Sequence, residues 1–507
     1  MFCGFDKQSG QIYTVIDDEL YTILELTDSS KRKATTYEAA MNLQKVIHGE
    51  GSPNVLDVRR INFNGNELVA VKQRDARSMW NYDKETSRLS PKTKTMLLEE
   101  FLVDHLLCNY TSDENAFLLD TDNVVYGVEK ENALKNIDDF INCNGEVYNG
   151  MSFLYFDSEE GSNIYRRLFE DYITDNNSTL NSQDFEKFKE SAKKISELPD
   201  EEYMKYFSGL LETIPEDRAE IAKKVLLERK QTLVQESENF VNRLNSLREN
   251  ERNLDVYRSA ESIAFISDIH GNYEALNSLL QACEEQGKKD IYILGDMIGA
   301  GPESNECVDL IREASKKLNI KCILGNHELY SLMGNRNFSY KPGFDSEDAR
   351  RNRNNLSIEN RRFIESLPKS RRLVIGGKKV ELIHYPEKPV YKDSEETYVP
   401  HNKPVVDSDT GITQDYLIYG HEHRTEYTTG DEVGSVGTIM NGTTKYMNLP
   451  SSGCVHGKNT SFVTLSIAED GSLETEVVAV QYDKEKTIEE VIKRDTGHLH
   501  LFGEDYR

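Results

Sequence analysis

Residues 263–270 read IAFISDIH, a short apolar run that ends in two polar side chains, Asp268 and His270. A Gly-Asn pair interrupts the strand pattern, and residues 273–286 then carry apolar side chains at helical spacing. A strand, a polar turn and a helix in this order indicate an α/β sheet, in which ligands gather at the carboxyl ends of the strands. An aspartate and a histidine two residues apart can reach the same divalent metal ion, because carboxylate oxygens and imidazole nitrogens both bind such ions.

Four later segments repeat the plan of a short apolar run that ends in a residue able to bind a metal. They read IYILGDMIGAG (291–301), KCILGNHE (321–328), VELIH (380–384) and YLIYGHEH (416–423). Taken singly, each aspartate or histidine also fits an ordinary capped turn or a structural histidine. Five separate strand ends would have to agree by chance for that alternative to hold, so the set predicts one shared metal centre.

The order of these polar residues, D-x-H, G-D, G-N-H-E, H and G-H-x-H, resembles that of the calcineurin-like metallophosphoesterases. The runs SDIHGN and GDMIGAGPESNE are similar to those of the bacterial predicted-phosphodiesterase subgroup. That subgroup usually has a Pro-Gly-Ser turn near its end, which LPSSG at 449–453 only approximates. The resemblance covers about residues 260–480 and implies an α/β fold, a metallophosphoesterase β-sandwich flanked by helices.

The same resemblance implies two divalent metal ions and assigns the residues that would hold them. One ion would be bound by Asp268, His270, Asp296 and His423. The other would be bound by Asp296, Asn326, His384 and His421, so that Asp296 bridges both ions. Oxygen and nitrogen ligands of this kind suit Mn, Fe or Zn.

Asp296 and His327 are the candidate catalytic residues. A bridging position needs a carboxylate, because two sets of lone pairs must reach two cations that clamp one phosphoryl group. His327 would protonate the leaving oxygen, since imidazole titrates close to neutral pH. The alternative for His327 is a structural role beside the metal ions.

The first half of the chain predicts a sheet followed by helices. Its predicted elements are a hairpin (11–16 and 20–26), a polar loop (27–36), a helix (38–47), a second hairpin (55–63 and 66–73) and an amphipathic helix (93–110). The second hairpin turns at Asn64-Gly65, which is a strong hairpin signal. Residues 157–258 are dense in Glu, Lys and Asn and predict an almost wholly helical region.

A second resemblance rests on residues 108–134, which read CNYTSDENAFLLDTDNVVYGVEKENAL. This run resembles the catalytic and metal-binding loops of the HipA-like and phosphatidylinositol-kinase-like atypical kinases. It implies an α+β kinase-like domain with a helical second lobe, and ATP with Mg²⁺ as the candidate cofactor. Asn115 and Glu129 stand at the positions of the metal-binding asparagine and aspartate of those kinases.

Several positions depart from the kinase pattern. Thr111-Ser112 replace the catalytic Asp-Arg pair, and Glu25 stands near the place of a nucleotide-binding lysine, with Lys31 and Lys33 in the predicted loop that follows. Phosphoryl transfer needs a lysine, a base and metal-binding carboxylates together. The departures therefore favour a pseudokinase over a working kinase.

With 507 residues the chain predicts more than one domain. The predicted divisions are a kinase-like domain (1–250), a helical linker (251–260), a metallophosphoesterase domain (261–485) and a C-terminal tail (486–507). The formal net charge of −27 disfavours nonspecific nucleic-acid binding, which normally uses a basic surface.

Cysteine usage and hydropathy indicate the compartment. The seven cysteines are scattered without a CxxC pair, which is typical of reduced thiols in a cytosolic protein. The sequence begins without a basic-then-apolar signal pattern, and no apolar run approaches the length of about 18 residues that spans a membrane. We therefore expect a cytoplasmic protein without a membrane partner.

Three functions fit these observations. The first is a two-metal phosphomonoesterase or phosphodiesterase whose kinase-like half regulates it or recruits its substrate. The second is a bifunctional kinase–phosphatase that acts on one target. The third, which is less favoured, is a non-catalytic scaffold. The expected partner is a phosphorylated substrate, and a protein, a nucleotide and an RNA end all fit.

Overall fold

The computed structural model describes residues 3–5, 12–25, 28–63, 65–74, 76–79, 89–110, 116–128, 130, 133–135, 137–155, 164–174, 180–333, 346–385, 390–392, 395–397, 414–423, 432–494 and 496–503. Within these residues the chain divides into two compact units, one up to Ser246 and the other from Leu247. None of the described helices is both long enough and apolar enough to cross a membrane.

The first unit begins with five strands and a helix. They are β1 (Cys3–Phe5), β2 (Ile12–Ile16), β3 (Glu19–Glu25), α1 (Asp28–His48), β4 (Val58–Phe63) and β5 (Asn66–Lys72). The strands form an antiparallel sheet in the order β1-β2-β3-β5-β4, and Tyr21, Ile23 and Ala70 are buried in its core. Strand β2 pairs with β3 and β4 pairs with β5, so both predicted hairpins are confirmed.

Helix α1 shows that the polar loop predicted over residues 27–36 is wrong. Lys31 and Lys33, which the sequence places in that loop, lie on the helix. Thr35 and Thr36 are almost fully buried, and their hydroxyls donate to backbone carbonyls one turn earlier. Burial of this face outweighs the modest helix propensity of a threonine-containing polar run.

The rest of the first unit is mainly helical. Its elements are β6 (Arg77–Ser78), α2 (Pro91–Leu106), β7 (Phe117–Leu119), β8 (Val125–Gly127), α3 (Ile164–Thr174), α4 (Ser182–Ser196), α5 (Asp200–Leu211) and α6 (Glu216–Arg252), which runs past the division. Helix α2 confirms the helix predicted over 93–110, and Ser90 caps its start by accepting the N–H of Thr93 at 3.1 Å. Strands β6, β7 and β8 form a separate small sheet.

The second unit alternates strands and helices. Its elements are β9 (Leu254–Tyr257), β10 (Ile263–Ile266), α7 (Tyr273–Glu285), β11 (Asp290–Ile293), α8 (Ser304–Ala314), β12 (Asn319–Cys322), α9 (Asn326–Met333), α10 (Ser346–Asn355), α11 (Ile358–Glu365), β13 (Ser370–Ile375), β14 (Lys378–Ile383), β15 (Val390–Lys392), β16 (Glu395–Thr397), β17 (Tyr416–Tyr419), β18 (Gly437–Asn441), β19 (Thr444–Asn448), β20 (Asn459–Ile467), β21 (Leu473–Gln481) and α12 (Lys484–Lys493).

Two sheets of the second unit pack face to face. Their strand orders are β12-β11-β10-β20-β21 and β18-β19-β17-β14-β13-β9. Buried side chains from both sheets form one core, among them Phe265 and Tyr292 from the first sheet and Leu382, Ile418 and Met447 from the second. This is the α/β sandwich with flanking helices that the sequence predicts for this half.

The strands that carry the motifs run parallel within each sheet. Strands β10, β11 and β12 are parallel neighbours in the first sheet, and β14, β17 and β19 are parallel neighbours in the second. The polar residues that follow β10, β11, β12, β14 and β17 therefore all leave the carboxyl ends of their strands. This topology brings residues from five distant segments to one edge of the sandwich.

Two segments differ from their predicted form. The linker predicted as helical over 251–260 instead contains β9, which pairs in parallel with β13 after α6 has ended. The tail predicted over 486–507 begins inside α12, which buries Thr487 and Val491. In both places hydrogen bonding or burial against distant residues orders a segment whose own composition is polar.

Candidate metal centre

The five motif loops bring the predicted metal-binding side chains together. The carboxylates of Asp268 and Asp296 and the imidazoles of His270 and His384 are at most 2% exposed. Two groups result, in each of which all the ligand atoms lie within 4.8 Å of one another. The groups are Asp268, His270, Asp296 and His423, and Asp296, His384 and His421. Asp296 belongs to both.

Distances in the first group fit a shared ion. The Oδ1 atom of Asp268 lies 3.4 Å from Nε2 of His423 and 3.9 Å from Nε2 of His270. Nε2 of His270 also lies 3.7 Å from Oδ2 of Asp296 and 2.7 Å from Nε2 of His423. Atoms that bind one ion at about 2.0–2.2 Å are themselves roughly 3–4 Å apart. The Nε2 atoms of His270 and His423 would therefore need to move only slightly apart to admit an ion.

The second group includes Asn326 as well. Its Oδ1 atom lies 2.9 Å from Nε2 of His384 and 2.8 Å from Nδ1 of His421. Nε2 of His384 is 3.1 Å from Oδ2 of Asp296, while its Nδ1 is 2.6 Å from the Leu294 carbonyl. That carbonyl accepts the Nδ1 proton, so Nε2 is the nitrogen directed at the site and can bind a metal ion in place of its own proton, as is usual for metal-binding histidines.

The buried carboxylates of this site favour positive charge on the groups around them. Burial and the neighbouring His384 lower the pKa of His421 to about 3, so its imidazole is neutral and able to bind a metal. Burial lowers the pKa of His384, but the Asp296 carboxylate raises it more, to about 9. The pKa of Asp296 falls well below its usual range, because nearby histidines outweigh its burial. Two buried carboxylates thus hold protons on neighbouring imidazoles, where divalent cations would also be stabilised.

Backbone strain is concentrated at the site. Among the residues the structure describes, ten non-glycine residues have positive φ. Five of the ten are Asp268, His270, Asp296, His421 and His423, with φ between 39° and 73°. Such conformations cost about 1–3 kcal/mol each and persist where the surrounding fold over-determines them, which is typical of functional sites.

Comparison with known proteins places this arrangement in a family. Residues 261–425 match the model of the calcineurin-like phosphoesterases. An uncharacterised protein of Methanocaldococcus jannaschii is 32% identical over 235 residues, which are 46% of this chain and 92% of that protein. The chain belongs to the calcineurin-like phosphoesterase family. The family acts on phosphoesters, which confirms the hydrolase prediction at this level, and it normally uses divalent metals.

Two further matches are weaker, one because it covers a short part of this chain and the other because its sequence identity is low. A symmetrical bis(5′-nucleosyl)-tetraphosphatase of Buchnera aphidicola is 44% identical over 69 residues, 13% of this chain and 24% of that enzyme. A solved structure of a Helicobacter pylori proinflammatory kinase is 14% identical, with 48% of this chain and 98% of that chain covered and a TM-score of 0.31. A TM-score this low does not demonstrate a shared fold. The kinase-like fold of the first half of this phosphoesterase therefore stays a prediction.

Glu328 is a residue of this phosphoesterase to which the sequence assigns no role. It is fully buried, and its carboxylate accepts four backbone N–H groups at 2.8–3.1 Å. These belong to Asp296, Met297, Ile298 and Gly325. One carboxylate therefore ties the loop after β11 to the loop after β12. The sequence signal that could have identified this role is the acidic residue directly after the Asn-His pair.

His327 lies beside the first group of donors. Its backbone N–H donates to Oδ1 of Asp296 at 2.9 Å, and its half-buried ring stands edge-on to that of His270, with 4.6 Å between centroids. It belongs to neither group of ligand atoms. The position next to the donors but outside them suits a residue that delivers a proton, and its catalytic role stays a prediction.

The candidate cofactor residues of the first unit lie outside the described residues. These are Asn115 and Glu129, and Thr111-Ser112, which stand in place of the catalytic Asp-Arg pair, lie outside them as well. Lys130, which follows Glu129, is buried and lies 2.7 Å from Asp104 and 3.2 Å from Glu100. That contact accounts for the lysine as part of a buried ion-pair network on α2.

Proposed function

We propose that the second unit hydrolyses phosphomonoesters or phosphodiesters with two divalent ions of Mn, Fe or Zn. The observation that supports this most directly is the membership of Asp296 in both groups of ligand atoms. When bound, a pair of divalent ions that shares a carboxylate supplies Lewis acidity toward a phosphoryl group. The proposed substrate is a phosphorylated protein, a nucleotide or an RNA end.

The side chains of the site divide this work. Asp268 and Asp296 would hold the cations through their buried negative charge, and neutral His421 would supply a nitrogen lone pair. Backbone N–H groups donate to both carboxylates and hold them in place before substrate binds, which reduces reorganisation during the reaction. We assign to His327, which lies outside the ligand groups, the role of giving a proton to the leaving oxygen.

The test is a substrate panel on the full-length protein, first stripped of metal and then supplied with Mn²⁺, Fe²⁺ or Zn²⁺. The panel contains an aryl phosphate, an aryl phosphodiester, a phosphopeptide, a 5′-phosphorylated RNA and a bis(5′-nucleosyl) tetraphosphate. We expect hydrolysis of at least one class only after metal is restored. Undiminished hydrolysis in excess chelator would contradict the proposal.

Replacing His327 tests its role as the general acid. We expect His327→Ala to lower kcat about 10²–10³-fold for an alkyl phosphate, whose leaving oxygen needs a proton. The loss should be much smaller for p-nitrophenyl phosphate, because its phenolate leaves without protonation. The measurements are kcat for both substrates and metal content by elemental analysis, which should not change.

The exposed His500 provides the matched control for this variant. His500→Ala also removes an imidazole from the second unit, and we expect wild-type rates with both substrates. Equal losses with both leaving groups in His327→Ala, or loss of a metal ion, would assign His327 a structural role.

For the first unit we propose a regulatory or substrate-recruiting role, supported by the resemblance of residues 108–134 to atypical kinases. We expect ATP with Mg²⁺ to raise the Tm of the full-length protein without phosphorylating it. The test is to incubate the Asp296→Asn protein with labelled ATP. In this variant the second unit is expected to be inactive, so it cannot remove a labelled phosphoryl group that the first unit has transferred. Stable label that disappears in Asn115→Ala or Glu129→Ala would instead establish the bifunctional kinase–phosphatase.

A further inference from the structure

The loop after β11 lies against two imidazoles of the site at Gly299. Gly299 has a φ of 148°, a backbone conformation that favours glycine. A Cβ atom at this position would lie 2.5 Å from Nδ1 of His270 and 2.8 Å from Nδ1 of His327. Both separations are well inside van der Waals contact, so only a glycine fits and its backbone lies against both rings. The position of Gly299 therefore limits where the His327 ring can lie.

Side chains from two helices hold the backbone groups of Gly299. Its N–H donates to Oγ of Ser304, the first residue of α8, at 3.2 Å. Its carbonyl accepts a hydrogen bond from Nδ2 of Asn352, on α10, at 2.8 Å. The guanidinium of Arg351 lies 3.5 Å from the same carbonyl, so the short hydrogen bond is the one from Asn352. The carbonyl is therefore held mainly by one amide.

Asn352 is buried, at 4% exposure, although the helix that carries it is strongly polar. Burial of an amide is costly unless it forms hydrogen bonds, and asparagine is a weak helix former. The bond to Gly299 explains its place in α10 better than helix propensity or the hydrophobic effect does. Helix α10 also packs against α9, whose first turn carries His327. The helix thus contacts both the element that carries His327 and the loop against which the ring of His327 lies.

We propose that Asn352 is a positioning residue for the general acid, because it holds the loop backbone against which the His327 ring rests. The inference rests on the proposed function, which assigns proton delivery to His327. Without the Asn352 amide, the Gly299 carbonyl loses its short hydrogen bond and the ring of His327 gains freedom to leave its productive orientation. His270 lies against the same glycine, but a bound ion would fix it, whereas His327 belongs to neither group of ligand atoms. Proton delivery, and not metal binding, therefore depends on Asn352.

The leaving-group dependence of Asn352→Ala tests this role on the full-length, metal-loaded protein. The substrates are an alkyl and an aryl ester of the phosphoester class that the protein hydrolyses. We expect kcat for the alkyl ester to fall about tenfold, less than the roughly hundredfold loss that a misplacement of about 1 Å can cause. KM, the rate with the aryl ester and the metal content should stay native, since none of them requires the proton from His327. Equal losses with both esters would overturn the proposal.

Two further variants serve as controls. Asn355→Ala removes an exposed amide from the same helix, and we expect native rates with both esters. Asn352→Leu keeps the volume of the side chain without its donor, so it should reproduce the selective loss even if the smaller alanine disturbs folding. A selective loss in Asn355→Ala, or native rates in Asn352→Leu, would overturn the proposal.

A double-mutant cycle tests whether Asn352 acts through His327. When the acid is already absent, in His327→Ala, the further change Asn352→Ala should not lower the rate with the alkyl ester, because the group that it positions is gone. A residue that merely supports the fold would lower the rate equally in both backgrounds. That outcome would assign Asn352 a structural role and overturn the proposal.

Hydrogen–deuterium exchange of the full-length protein tests the link between α10 and the loop without hydrolysis. We expect peptides that span residues 297–303 to exchange faster in Asn352→Ala than in the native protein and in Asn355→Ala, because the loop loses its bond to α10. Unchanged exchange would overturn the proposal. Faster exchange in a protein that cleaves no phosphoester would contradict the proposed function alone.

Discussion

We expect Asp296→Asn to lower kcat/KM for phosphoester hydrolysis by about a thousandfold or more, because a carboxylate that holds both metal ions would contribute several kcal/mol to this kind of catalysis. The Asp296 carboxylate belongs to both groups of ligand atoms and is 1% exposed. An amide of the same shape has no negative charge and one oxygen fewer, so it cannot bind two cations at once. We also expect the variant to retain less than the native content of metal ions, measured by elemental analysis.

The control for this prediction is Asp470→Asn. Asp470 is exposed at the turn between β20 and β21, and its substitution removes one carboxylate from the same unit. We expect native activity and metal content from it. If Asp296→Asn keeps most of its activity, the shared-carboxylate site is not the catalytic centre. Circular dichroism of both variants separates loss of chemistry from loss of fold.

Glu328→Ala has the second-largest expected effect, because it damages both stability and activity. The substitution leaves four buried N–H groups of the loops after β11 and β12 without their acceptor. Each orphaned group costs about 1–3 kcal/mol, with partial recovery by water, so we expect the free energy of unfolding to fall by roughly 3–5 kcal/mol. Chemical denaturation of the metal-free protein measures this loss without a contribution from metal binding.

Activity of the folded Glu328→Ala protein should fall at least about a hundredfold, because displacement of a catalytic group by about 1 Å has that effect. Glu328→Gln keeps one acceptor oxygen and should lose less of both properties. Glu285→Ala, at the exposed end of α7, should change the free energy of unfolding by less than about 0.5 kcal/mol. Native activity in folded Glu328→Ala would show that the carboxylate does not position the site.

Local sequence patterns were sufficient to predict the strands that carry the candidate metal-binding residues. Each motif consists of an apolar run and an immediate polar turn, so strand and ligand are encoded within about eight residues of each other. The hairpins β2–β3 and β4–β5 are equally local, since each is a pair of adjacent strands joined by a short turn. A strand or hairpin whose pattern is complete within one short segment can be predicted without knowledge of the distant residues that it contacts.

Segments whose structure depends on distant partners were predicted wrongly. Residues 27–36 are polar enough for a loop, yet burial of Thr35 and Thr36 makes residues 28–36 part of α1. Residues 254–257 continue a helical composition, yet hydrogen bonds to β13 make them a strand. Helix propensities differ by less than about 1 kcal/mol per residue for most residue types, so such tertiary interactions override them.

The sequence by itself determined which side chains can bind metal, their order along the chain and the strand ends that carry them. Only the tertiary structure decided which of them share a site, because that depends on how parallel strands from distant segments pair within two sheets. It alone joined the loops of β11 and β12 through Glu328, and it bound the turn at residues 449–453 to the end of a strand that lies nearly two hundred residues earlier. No local pattern encodes these contacts, since each is fixed by long-range pairing and burial in the sandwich.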